Sequence, residues 1–63
     1  MKLTSRTKDN LTVGTVLKDS IRTYMISNLW KAGRSIYITL TDTETKQNIY
    51  GMPISTCYGM EII

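Results

Sequence analysis

Trp30 is the only tryptophan of the chain, and two cations, Lys31 and Arg34, follow it closely. An indole offers a flat face on which a base stacks, and neighbouring cations hold phosphate, so this trio has the chemistry of a nucleotide clamp. The other reading is an indole that closes one end of a small core. Tyr37 and Tyr50 fall in alternating runs and read as neighbours on one sheet face. Such a pair is either a partner patch or ordinary cross-strand packing. Binding residues are therefore expected at Trp30, Lys31, Arg34, Tyr37 and Tyr50.

Catalysis finds no comparable set of groups. The chain has no histidine, so general acid–base work would fall to carboxylates or lysines. Asp42 and Glu44 share a turn, where carboxylates are ordinarily solvated. Cys57 has no histidine to activate it and reads as a small apolar core residue. Gly33, Gly51 and Gly59 are isolated and build no phosphate loop. A single cysteine without histidine fits neither an internal disulfide nor the common zinc patterns. The chain reads as a non-enzyme, with no metal and no cofactor.

Two alternating runs, residues 34–42 and 47–52, position the aromatic residues and are joined by Thr43-Glu44-Thr45-Lys46. Ile36, Ile38 and Leu40 point one way, and Tyr37, Thr39 and Thr41 the other. That is the period of a strand with one dry face. Leu11, Val13, Thr15 and Leu17 alternate in the same manner and predict a first strand over 11–18, with Gly14 marking a bulge or a close approach. Residues 20–32 admit two readings. Their β-branched and aromatic content favours a strand, whereas Asp19 or Ser20 would cap a helix that Gly33 ends. Pro53 ends the hairpin and starts a tight turn, and residues 57–63 predict a last short strand. Residues 1–10 are polar and aperiodic, so they read as an N-terminal arm, with 11–63 as the single small β domain.

A chain of 63 residues buries only about 60% of its unfolded surface and usually needs a staple. Self-association is the staple left, so a homo-oligomer is expected. The net charge of +3 suits a polyanionic partner, yet the eight cations are scattered and form no run. No apolar stretch is long enough to span a bilayer, and one unpaired cysteine suits a reducing compartment. The expectation is a cytoplasmic protein with no membrane contact.

The element order resembles that of SH3-like small barrels. The likeness rests on Leu11-Thr12-Val13-Gly14-Thr15-Val16, the central hairpin and the Pro53 turn before a last strand. It implies an all-β fold, a small five-stranded SH3-like barrel; the alternative is α+β, with a helix over 20–32 on an antiparallel sheet. The chain lacks the acidic loop and tryptophan pair of proline-peptide-binding SH3 domains, so that function is not carried over. In composition, rich in Ile, Thr, Met, Tyr, Asn and Lys, it resembles small accessory proteins of tailed bacteriophages. This implies a non-catalytic binding protein that docks on a host protein and modulates or inhibits it. Two further readings are an oligomeric sponge for a nucleotide or cyclic nucleotide, held by Trp30, Lys31, Arg34 and Tyr37, and a small nucleic-acid-binding barrel. A structural piece of a virion fits the composition equally well.

Overall fold

Alternation in the sequence becomes one antiparallel sheet. The computed structural model describes all 63 residues. Its strands are β1 (Val16–Lys18), β2 (Thr23–Ala32), β3 (Ser35–Asp42), β4 (Asn48–Pro53) and β5 (Glu61–Ile62). The sheet order is β4-β3-β2-β1-β5. Short 3-10 turns at Lys8–Asn10 and Ile54–Cys57 are the only helical pieces. The fold is all-β with five strands, and the stretch 20–32 holds no helix: Thr23–Ala32 of it is strand. No helix is long and apolar enough to cross a membrane.

The sheet does not close into a barrel. Closure would require the two end strands, β4 and β5, to meet. The outer side of β5 is instead occupied by the N-terminus. Leu3 N–H donates to Met60 O at 2.8 Å, Gly59 N–H to Leu3 O at 2.8 Å, and Ile62 N–H to Met1 O at 2.7 Å. The N-terminal ammonium also pairs with Glu61 at 3.1 Å.

Residues 1–10, expected as a polar arm, are thus folded onto the domain, with Leu3 fully buried. Their order comes from threonine hydroxyls. Thr7 Oγ1 accepts from Thr4 N–H at 2.8 Å and donates to Lys2 O at 2.9 Å, which winds the segment into the first 3-10 turn. Hydrophobic periodicity cannot report bonds of this kind.

The first strand is shorter than its alternation suggests. Thr12 and Thr15 bond across a turn, Thr15 N–H to Thr12 O at 3.1 Å and Thr12 N–H to Thr15 Oγ1 at 3.1 Å. Gly14 takes φ +97° there, a value that side chains disfavour. The turn sends Val13 out to 60% exposure, while Leu11 and Leu17 stay buried. At the other end Pro53 starts the second 3-10 turn, which winds as far as Cys57 and leaves only Glu61–Ile62 as strand.

Nine buried apolar residues form the core. The strands supply Leu17, Ile26, Ile36, Ile38 and Leu40; the irregular segments supply Leu3, Leu11, Ile54 and Cys57. Cys57 is a core residue, its thiol 3.3 Å from Met52 Sδ, and burial pushes its pKa up. Removing a fully buried leucine side chain costs about 2–5 kcal/mol. Leu3→Ala should therefore lower the urea midpoint by that equivalent, whereas truncation of a loose arm would leave the midpoint unchanged.

Asp42, expected to be solvated, is only 5% exposed. Its Oδ1 accepts from Glu44 N–H at 2.8 Å and Thr45 N–H at 3.1 Å, and its Oδ2 accepts from Arg22 Nη1 at 3.0 Å. The two amides, and then the guanidinium, hold its carboxyl below the usual range against the opposing effect of burial. Asp19 is lowered likewise by the Arg22 and Ile21 amides, at 2.7 and 2.8 Å. Carboxyls depressed in the folded state contribute stability that is complete above about pH 4 and is lost as pH falls through their folded values. The urea midpoint should hold at neutral pH and drop on acidification below about pH 4. Asp42→Asn should flatten that drop; an equally steep profile in the variant would remove Asp42 from its cause.

Candidate functional site

The β2–β3 hairpin carries the aromatic candidates on a rigid support. Gly33 (φ +62°) and Arg34 form its two-residue turn between Ala32 and Ser35. Glycine at the first central position is what a type II′ hairpin turn requires. From that tip the register runs back through Lys31↔Ile36, Trp30↔Tyr37 and Leu29↔Ile38. Trp30 and Tyr37 therefore stand directly opposite each other on one face. Their rings stack with centroids 6.0 Å apart and planes inclined by 21°. Such an aromatic pair stabilises by about 0.5–1.5 kcal/mol beyond its burial and holds the indole in one orientation.

Beside Trp30 lies an open cleft of about 340 Å³. Leu11, Leu29 and Ile36 form its apolar lining, and Lys8, Asp9, Trp30 and Lys31 complete it. The first 3-10 turn brings Lys8 there, from a segment remote in sequence. A second, smaller cleft of about 150 Å³ shares Lys8 and Ile36 with the first. Arg34 lines this one, with Ser35, Ser55 and Tyr58. Lys8 thus stands between two concavities. None of Lys8, Lys31 and Arg34 takes part in an ion pair; the pairs present are Arg22–Asp42 and the N-terminus with Glu61.

The five sequence-derived candidates divide accordingly. Trp30 and Tyr37 come together as a stack on one face, while Lys31, opposite Ile36, turns to the other face and joins Trp30 only among the residues that line the cleft. Arg34 lines the second cleft. Tyr50 stands apart, 75% exposed on β4, where Asn48 Nδ2 donates to its hydroxyl at 3.0 Å. The expected Tyr37–Tyr50 neighbour pair does not form. The register from Thr41↔Asn48 and Leu40↔Ile49 carries Tyr50 to the level of Thr39, and after a shift between Ile38 and Leu40 Tyr37 stands opposite Pro53. Gly51, at φ +65°, lies in the irregular stretch between the paired residues Ile49 and Met52 and supplies the backbone turn that the shift needs.

Thr39, read as an outward position, is buried, and its carbonyl accepts from Ser27 Oγ at 3.2 Å. Sequence reasoning missed Lys8, Leu11 and Asp9, which reach the site only because residues 1–11 fold back over the sheet. No group of three or more Cys, Asp or Glu side chains converges anywhere in the molecule.

No family model matches the chain, and neither a curated protein nor a solved structure matches it.

Trp30 is 38% exposed and shares its cleft with two lysines and one aspartate. A local excess of positive charge concentrates anions at low ionic strength. Iodide should therefore quench the single-tryptophan fluorescence more strongly than caesium does, relative to free tryptophan. The Lys8→Gln, Lys31→Gln double variant should lose most of that difference. Equal quenching by both ions in the wild-type chain would show that the lysines set no field at the indole.

Proposed function

We propose that this chain is a non-catalytic binding protein that docks on a protein partner through the Trp30 end of its sheet and modulates that partner's activity. One observation carries the reading. Trp30, 38% exposed and stacked on Tyr37, is one of the residues lining an apolar cleft flanked by lysines that no acid neutralises as an ion pair. Partially exposed, rigidly held tryptophans beside water-excluding apolar contacts are the usual anchors of protein interfaces. The cleft volume of about 340 Å³ lies at the small end of the range for sites that enclose a small molecule. It suits an inserted side chain or a short stretch of backbone better than a nucleotide held on several sides.

A nucleotide clamp of Trp30, Lys31, Arg34 and Tyr37 has less support. Tyr37 stacks against Trp30, and Arg34 lines the other cleft. A nucleic-acid track has less again, since the cations beyond this end, Lys2, Arg6, Lys18, Arg22 and Lys46, are spread along the chain. The compositional likeness to phage accessory proteins supports a bacterial host protein as partner and the host cytoplasm as the place of action.

The test is affinity capture of the tagged full-length chain from a bacterial lysate, run in parallel for Trp30→Ala, Lys31→Ala and Tyr50→Ala. One stoichiometric protein should be recovered by wild type and by Tyr50→Ala. Trp30→Ala should reduce recovery at least about tenfold, as loss of an interface anchor does. Recovery that no Trp30 or Lys31 change affects would overturn this site, and no reproducible partner would overturn the reading itself.

A further inference from the structure

A strand edge left open in an otherwise guarded sheet is the strongest unexplained feature of the molecule. β2 is ten residues long, but β1 pairs only with its Thr23, Tyr24 and Met25. The chain before β1 extends the pairing by one residue: Gly14 N–H donates to Ile26 O, and Ile26 N–H to Thr15 O, both at 2.8 Å. Beyond the bulge between Ile26 and Asn28, residues 27–32 pair with β3 alone. In an antiparallel ladder, alternate residues turn their backbone groups to opposite sides. Ala32 and Ser35 close the hairpin, so Ala32, Trp30 and Asn28 bond toward β3, and Leu29 and Lys31 turn the other way. The Leu29 N–H finds only the neighbouring side chain, Asn28 Oδ1 at 2.9 Å. The carbonyls of Leu29 and Lys31 and the N–H of Lys31 point away from β3, and both residues line the cleft with Lys8, Asp9 and Leu11.

The other edges are covered or blunted. Residues 1–3 cover β5. β4 is interrupted by the Gly51 irregularity and by Pro53, both of which blunt an edge against strand addition. We infer that residues 27–32 of β2 accept an extended, acidic peptide segment of the partner as an added strand. The inference rests on the docking reading above and names its mode.

Main-chain hydrogen bonds to Leu29 and Lys31 would give such a segment its register, and alternate side chains would enter the cleft beside Leu11 and Ile36. Charge selects the occupant. Lys8 and Lys31 line the cleft against a single Asp9, and Arg34 stands at the hairpin tip. Carboxylates of an incoming strand complement that excess. A second copy of this chain would bring the same lysines together across a twofold axis, and like charges facing each other disfavour that pairing.

The experiment selects peptides from a random twelve-residue library on the full-length chain and maps the best of them by amide exchange on the 15N-labelled protein. Selected peptides should be enriched in Asp and Glu, and should slow exchange at the Lys31 amide. Lys31→Pro deletes the edge donor without touching the bonds to β3, and should weaken peptide binding about tenfold at an unchanged urea midpoint. Should that variant unfold, N-methylation of alternate peptide amides provides the same test from the other side. One methylation phase should abolish binding and the other leave it intact.

Peptides without acidic bias, or binding indifferent to both the proline and the methyl groups, would overturn strand addition and leave docking at Trp30 standing. Selection of no peptide at all would do the same. Exchange protection confined to Asn48 and Tyr50 would overturn both. A dimer in sedimentation that Lys31→Pro dissolves would assign the edge to a second copy and overturn the peptide.

Discussion

One dry sheet face, lined by Leu17, Ile26, Ile36, Ile38 and Leu40, must be covered in a fold that has neither a second sheet nor an α-helix. Burial of apolar area at about 25 cal/mol per Å² is the dominant favourable contribution, and a 63-residue chain has little of it to lose. The cover comes from Leu3, Leu11, Ile54 and Cys57, all outside the strands. Their positions decide the rest of the architecture. To bring Leu3 over the face, the N-terminus runs along β5, and that placement keeps the sheet open. To bring Leu11 there, the chain turns at residues 12–15, which shortens β1 and uncovers the upper half of β2. The second 3-10 turn, begun at Pro53, performs the same task for Ile54 and Cys57.

This division explains what could be read from the sequence. Period-two alternation in Ile36-Tyr37-Ile38-Thr39-Leu40 located β3 and its faces, because there the pattern and the burial have one cause. The strand over residues 23–32 was legible from its β-branched and aromatic content, against the helix that Asp19 and Gly33 would have framed. Asp19 does cap, but it caps a turn into β2, through Ile21 and Arg22. The covering segments were not legible. Leu3 is one apolar residue in a polar stretch, and its burial depends on Thr4 and Thr7 satisfying local backbone groups. The Tyr37–Tyr50 pairing failed because a hairpin register counted from Thr41↔Asn48 and Leu40↔Ile49 runs to Tyr50 at the level of Thr39, and the shift beyond it sets Tyr37 against Pro53.

The site follows the same logic. Trp30, Lys31 and Tyr37, grouped in the sequence by residue type and spacing, stay on one hairpin, where sequence distance and spatial distance agree. Arg34 is on that hairpin too, yet it lines the second cleft beyond Lys8 and Ile36. Lys8 was invisible because only the fold of residues 1–11 brings it to the hairpin. What looked like scattered positive charge in the sequence is partly gathered in space. Arg22 is consumed by Asp42 in a structural role, whereas Lys8, Lys31 and Arg34 are left together at one end without an acid paired to any of them. Unpaired surface cations contribute little to folding, so their gathering at this end has little part in holding the fold together.

The bulge near Ser27 ties these levels together. It falls at the residue where β1-side pairing ends, after Ile26. A bulge inserts one residue, changes the phase of the side chains and increases the local twist. Before it, Tyr24 and Ile26 face the core; after it, Leu29 takes over that role while Trp30 turns to the Tyr37 side. Without the extra residue, the inward phase set by Tyr24 and Ile26 would continue to residues 28 and 30. Trp30 would point inward, where the cleft is only about 340 Å³ and open, and Leu29 would point to water. The same irregularity therefore keeps the core continuous, presents the indole, and turns Leu29 and Lys31 toward an edge that no strand of this chain reaches. A change that restored regular pairing would remove all three at once, which makes the bulge a built feature of this end of the fold and not a defect in the sheet.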